Sequence, residues 1–208
     1  MARSKSSKRW LKEHFDDEFV RRSQIEGYRS RAVYKLKEID DKDKLIKPGM
    51  TIIDLGAAPG GWSQYAAEIL KGKGRVIALD LLLIEPEIEG VEFIQGDFRE
   101  EKVLAELMSV LNSDPADLVF SDMAPNMSGV KNVDNARAMY LAELTLELAK
   151  ETLKPGGAIL VKLFQGEGFQ EYLKSLRDNF EKVVMRKPKA SRSRSKEIYA
   201  LATGYKVV

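Results

Sequence analysis

Five short apolar runs recur along this chain: Thr51–Leu55, Arg75–Asp80, Val91–Gln95, Asp117–Ser121 and Ala158–Leu163. They do not alternate with polar residues, which is the pattern of parallel strands covered on both faces. Helix-like segments lie between or after them, at Trp62–Leu70, Glu100–Leu111, Asp134–Leu153 and Phe169–Phe180. Regular β-α alternation predicts a doubly wound, Rossmann-like α/β sheet with helices on both faces. The end of the chain breaks that rhythm. Lys182–Lys187 and Glu197–Thr203 both read as strands, joined by "PKASRSRS" with no helix between them. Strands joined by a loop are usually antiparallel neighbours. A mostly parallel seven-stranded sheet is therefore expected, ending with one reversed strand.

At 208 residues the chain suits a single domain, residues 1–208. Residues 1–9 carry Arg3, Lys5, Lys8 and Arg9 among serines and are expected to form a flexible basic tail. Residues 10–48 read as a helical region, with helices over Trp10–Arg22 and Ser30–Asp41. There is no cysteine and one histidine, His14, so disulfides and Cys/His zinc sites are excluded and no metal is expected. No apolar segment follows the basic start, so a secretory signal is not expected. The runs around "VIALDLLLI" and "AILVKLF" are too short and too charged to span a bilayer. A cytoplasmic monomer with no membrane partner is the expectation.

The stretch "DLGAAPGGW", Asp54 to Trp62, joins the first strand to the first interior helix. Such a turn suits a nucleotide-like ligand. Gly56 and Gly61 have Walker A spacing, but Trp62 and Ser63 follow and the lysine is missing. A dinucleotide fingerprint fails as well: its middle glycine is Ala58, and Pro59 removes an N–H donor that a pyrophosphate needs. An adenosine ligand without phosphate fits better, and S-adenosylmethionine is one. Asp80, ending the second strand, is placed for ribose hydroxyls, and Asp97, after the third, for the adenine amino group. Each Asp has a plainer reading as a cap of a strand end or helix. Together at one sheet edge, after a glycine turn, they favour the ligand.

Asp122 in "FSDMAPNMSG" and Lys162 in "LVKLFQGEG" end the fourth and fifth strands. In open parallel sheets the carboxyl ends of the strands line the ligand crevice. A lysine in an apolar strand end is costly unless paired or needed, although its ammonium can snorkel to solvent. If the last strand is reversed, its first residue, Glu197, lies at the same crevice. Asp122, Lys162 and Glu197 are expected to converge. Lys35, by spacing alone, passes for a surface charge.

The stretches "SRAVYKLKEI", "DLGAAPGGWSQY", "GDF", "SDMAPNMSG", "AMYLAELTLELA", "LKPGG", "VKLFQGEGF" and "SRSRSKEIY" together resemble FtsJ/RrmJ-type ribosomal RNA ribose 2′-O-methyltransferases, over most of the chain and in the same order. The resemblance implies a Lys-Asp-Lys-Glu tetrad, here Lys35, Asp122, Lys162 and Glu197. It implies S-adenosylmethionine contacts at Gly60, Gly61, Trp62, Asp80, Asp97 and Asp122. It further implies methylation of a uridine ribose in large-subunit ribosomal RNA, on the assembled 50S subunit, with the N-terminal helical region contributing to the RNA-binding face. Related transfer-RNA enzymes share the tetrad.

Two roles for Lys162 stay open: a neutral general base, or a charged group that orients the hydroxyl and stabilises developing negative charge. "RKPKASRSRSK" carries Arg186, Lys187, Lys189, Arg192, Arg194 and Lys196 with no acid, which suits phosphates. Its plainer reading is a solvated, flexible loop. Tyr34 and Tyr199 could stack bases, but aromatics near strands are more often core. Two rivals stand beside the methyltransferase: a nicotinamide oxidoreductase on the same fold, and a non-catalytic RNA-binding assembly factor.

Overall fold

The computed structural model describes residues 17–192 and 195–207. The expected basic tail, the first part of the expected first helix, His14 and Arg194 lie outside the described residues. Six helices and seven strands follow in order: α1 (Glu18–Glu26), α2 (Val33–Asp43), β1 (Thr51–Leu55), α3 (Gly61–Leu70), β2 (Arg75–Asp80), β3 (Val91–Gln95), α4 (Glu101–Leu111), β4 (Ala116–Ser121), α5 (Lys131–Thr152), β5 (Leu153–Phe164), α6 (Phe169–Asn179), β6 (Phe180–Arg186) and β7 (Glu197–Tyr205), counted among the described residues.

The strands form one sheet in the order β3-β2-β1-β4-β5-β7-β6. β1 to β5 pair in parallel, and β7 runs antiparallel to both β5 and β6. The reversed strand is therefore internal, and β6 is the edge. The physical reason is the crossover. Helix α6 carries the chain past β5 and lays β6 one position further out, parallel to β5. The returning β7 then fills the slot and satisfies the ladder groups of both neighbours.

The strands read as continuous apolar runs because both faces are covered. Alternate side chains point to opposite faces. Ile53, Leu55, Ile77, Leu79, Val119 and Ile159 pack under α4, α5 and α6. Ile52, Val76, Leu118, Phe120, Leu160 and Leu201 pack under α2 and α3. Most elements begin or end within three residues of the sequence reading. β5 departs more: it pairs first at Leu153, then bulges through "KPGG" before pairing resumes at Ala158.

The helix ends follow local chemistry. Asp17 caps α1 by accepting the Phe19 amide at 3.0 Å, and Gly27 ends it in the left-handed conformation at φ 76°. Ser30 accepts the Ala32 amide at 3.0 Å, closing a turn that precedes α2. The predicted helix at Ser30 thus begins three residues later, at Val33.

Candidate active site

Four elements deliver four charged side chains to one point at the carboxyl ends of the parallel strands. Lys35 comes from the first turn of α2. Asp122 follows β4. Lys162 lies near the end of β5, opposite Tyr199 of β7 in the antiparallel register. Glu197 is the first residue of β7, opposite Phe164. Lys35 Nζ lies 3.1 Å from Glu197 Oε1 and 3.6 Å from Asp122 Oδ1. Lys162 Nζ lies 3.1 Å from Asp122 Oδ1 and also donates to the Asp122 backbone carbonyl. All four are largely withdrawn from solvent, with side-chain exposures of 11% for Lys35, 18% for Asp122, 7% for Lys162 and 13% for Glu197. Lys35 is therefore no surface charge. Its helix packs through Val33, Leu36 and Ile39 into the core, which turns the lysine toward the sheet.

Burial pushes the Asp122 carboxyl up, but Lys162, Lys35 and a hydrogen bond from Tyr199 outweigh it and hold it below its ordinary value. Burial likewise opposes ionisation of Glu197, and the Lys35 charge overcomes it. The tetrad is thus a paired cluster in which each buried charge meets an opposite one.

Asp122 also faces a second space. A cleft of about 510 Å³ is lined by Gly56, Ala58, Asp80, Asp97, Asp122, Met123 and Asn126 along with the Leu81–Leu82 and Phe98–Arg99 pairs. Its lining carries three carboxylates and one guanidinium, Arg99, which is bound to Asp97 at 2.8 and 2.9 Å through Nε. Leu81 and Leu82 are 63% and 68% exposed, an apolar rim that burial in a core does not explain. Gly56 sits at φ 72°, and a Cβ there would collide with the Met123 side chain. Only glycine leaves the backbone this close to the cleft.

Asp80 accepts the Ala58 amide at 2.9 Å and the Leu82 amide at 2.8 Å. Asp97 accepts the Arg99 amide at 3.0 Å. The plainer capping reading of both residues therefore holds, and both carboxylate oxygens of Asp97 are also engaged by the Arg99 guanidinium. Gly60, Gly61 and Trp62 are placed differently and do not line it. Gly60, at φ 99°, caps α3 and packs against Ile84 and Ile88. A Cβ at Gly61 would lie 3.2 Å from Ser30 Cβ. The Trp62 indole donates to the Ala32 carbonyl at 2.8 Å, and its ring packs against Phe120 and Tyr199. These three join the glycine turn to the N-terminal helices beneath the tetrad.

On the other side of the tetrad, Arg31, Ala32, Lys35, Arg192, Ser195 and Glu197 line a pocket of about 490 Å³. The β6–β7 loop beside it is anchored, contrary to the solvated-loop reading. Pro188, Ala190 and Ser191 are buried. Arg31 ties Asp17 to the Ala190 carbonyl. Glu38 accepts the Lys189 amide at 2.7 Å, and Arg186 holds Asp43 through two bonds of 2.7 and 2.6 Å. Arg186 and Arg31 are structural pins as well as charges.

The sequence reading leaves Tyr199 as a core aromatic or a base stacker and gives Asp54 no role. Tyr199 is fully buried and donates its hydroxyl to Asp122 Oδ1 at 2.6 Å, so it is core and site at once, with no face free to stack a base. Asp54, in the glycine stretch itself, is buried beneath the turn and accepts the Ser63 hydroxyl at 2.6 Å. Burial pushes its carboxyl up to about 7, opposed by the Ser63 bond and assisted by Asp122 and Asp80.

Among the described residues no group of three or more His, Cys, Asp or Glu could hold a metal ion, and no helix is long and apolar enough to cross a membrane. The sheet order, the single reversed strand and a crevice at the strand ends define a Rossmann-like fold of the methyltransferase class. Known proteins resolve the class further. The chain belongs to the FtsJ-like methyltransferase family, whose sequence profile matches residues 28–205. It is 63% identical over 205 residues to the ribosomal RNA large subunit methyltransferase E of Legionella pneumophila (strain Corby), covering 99% of each chain. It is 64% identical over 201 residues to the Methylobacillus flagellatus protein of the same description, covering 97% of each. A solved Plasmodium falciparum structure described as a ribosomal RNA methyltransferase is 31% identical, with a TM-score of 0.77 over 86% of this chain and 98% of that one.

Proposed function

We propose that this methyltransferase transfers a methyl group from S-adenosylmethionine to a uridine ribose 2′-oxygen of large-subunit ribosomal RNA, on the assembled subunit in the cytoplasm. The observation that carries this is the position of Asp122, which belongs both to the Lys35-Asp122-Lys162-Glu197 cluster and to the acid-lined cleft. The relatives described as large-subunit methyltransferases support the choice of RNA.

The cleft fits the cofactor. An excess of carboxylates suits a sulfonium and an amino group, and repels the pyrophosphate that a nicotinamide dinucleotide would bring. Asp80, Asp97 and Asp122 would hold it from the cleft side. Gly60, Gly61 and Trp62 would support it from behind the turn that Gly56 brings close. When bound, S-adenosylmethionine supplies an electrophilic methyl group.

The chain's own residues do the rest. A lysine ammonium has three donors. Lys162 donates one to the Asp122 main-chain carbonyl and forms an ion pair with Oδ1. Donor capacity remains for the ribose oxygen. Lys162 in its charged form orients that oxygen and stabilises the negative charge that grows as the hydroxyl proton passes to solvent. Lys35, held by Glu197 and Asp122, places the ribose. Much of the acceleration comes from alignment, because methyl transfer requires the reacting atoms in line. Arg192 in the adjoining pocket takes a flanking phosphate.

The test is methyl-labelled S-adenosylmethionine with unmodified large subunits, free large-subunit RNA, small subunits and transfer RNA, followed by nuclease mapping. Label on a ribose 2′-oxygen of the large subunit is expected. Label on transfer RNA would keep the chemistry and overturn the substrate. Binding of the cofactor with no transfer to any RNA would point to an assembly factor.

A further inference from the structure

We infer that Tyr199 is a positioning residue for methyl transfer, an uncharged hydrogen-bond donor that fixes Asp122 Oδ1 so that the ion pairs of Lys162 and Lys35 meet it at one defined point. The inference rests on the proposed function for its kinetic part. Asp122 Oδ1 accepts the Tyr199 hydroxyl at 2.6 Å and pairs with Lys162 Nζ at 3.1 Å and Lys35 Nζ at 3.6 Å. The shortest of the three comes from the neutral group. Short bonds to a carboxylate are the strong ones.

The tyrosine is itself held rigid. Its ring is fully buried on the sheet face covered by α2 and α3, 5.9 Å from the Trp62 ring, and it pairs with Lys162 across the β5–β7 ladder. The Lys35 ammonium lies 5.6 Å from its ring centroid, within reach of a cation–π attraction. One side chain thus touches Asp122 through its hydroxyl and Lys35 through its ring. A third lysine in this place would add a charge that no carboxylate here could balance.

The groups facing Asp122 are Lys35 from α2, Lys162 from β5, Glu197 and Tyr199 from β7, and Asp54 from β1. Burial and the neighbouring carboxylates of Asp122 and Glu197 raise the Tyr199 phenol well above its ordinary value, so it stays a donor across the working pH range. Removing its hydroxyl takes one stabilising bond from the Asp122 carboxylate, whose protonation then moves to higher pH.

The experiment compares the full-length wild type with Tyr199→Phe in two readouts. The first is methyl transfer to large subunits as a function of pH. The second is an NMR titration of the Asp122 side-chain carboxyl carbon without RNA. The expected result is a kcat lower by about tenfold, as for loss of a bond to a charged group. KM for S-adenosylmethionine should stay within about twofold, the acid limb of the profile should move to higher pH, and the Asp122 titration should move the same way. An unmoved Asp122 titration overturns the inference, and so does a variant whose kcat and acid limb match the wild type. Early melting with weakened cofactor binding and an unmoved titration would make Tyr199 a packing residue only, which also overturns it. If the wild type transfers no methyl to RNA, the proposed function fails, and the titration still decides the role of Tyr199.

Discussion

The two sides of the crevice differ in charge, and Asp122 is the wall between them. The cleft beyond β1, β2 and β4 is lined by Asp80, Asp97 and Asp122, with its one arginine already bound to Asp97. The pocket beside α2 and β7 is lined by Arg31, Arg192 and Lys35, with Arg31 bound to Asp17 and Glu197 to Lys35. One side suits a cation and the other suits phosphates. A site that joins a positively charged methyl donor to a polyanionic acceptor needs that asymmetry, because each partner would be repelled from the other's place.

The asymmetry can be broken at its centre first. Lys162→Ala should lower methyl transfer by at least about a hundredfold while leaving S-adenosylmethionine binding within about twofold, read by labelled transfer and calorimetry. Equal loss of both would mean the two sides are not separable. Gly56→Ala should act on the cleft alone, weakening cofactor binding about tenfold or more through left-handed strain and the Met123 collision. An unchanged dissociation constant would remove the glycine turn from the cleft. Arg192→Ala should raise KM for the RNA about threefold and reduce the salt slope of RNA binding by about one, with cofactor binding intact. A slope equal to wild type would take Arg192 off the RNA side.

The smallest effect is one of pH. The folded Asp54 carboxyl is raised to about 7, so between its ordinary value and 7 the native state binds more protons than the unfolded chain. Its contribution therefore lowers stability as pH rises across that window and is level above it. Asp54→Asn should flatten this decline, seen as a difference of a few degrees, about 2–4 °C per kcal/mol, between the melting curves of the two proteins at pH 4.5 and 7.5. Parallel curves would place a proton-independent Asp54 beneath the turn.

The local parts of this molecule were legible because they depend on neighbours in sequence. Continuous apolar strands and the strand-end placement of Asp122 and Lys162 followed from spacing. So did Glu197, once its strand was taken as reversed. What could not be read depended on residues far apart in the chain. The tilt of α2 that buries Lys35 comes from its packing on the sheet. The slot that makes β7 internal comes from the α6 crossover. The anchoring of the basic loop comes from Arg31 and Glu38, over a hundred and fifty residues away.

Tyr199 shows the limit most plainly. A buried aromatic in a strand has the same local pattern whether or not its hydroxyl finds a carboxylate. The sequence by itself determined the α/β class, the order of the strands along the chain and the chemistry present at their ends, because periodicity and turn residues act over a few positions. Only the tertiary structure decided which charges meet, that Asp122 serves both sides of the crevice, and that Tyr199 completes the cluster, because burial and pairing are set by contacts between elements that the chain keeps apart.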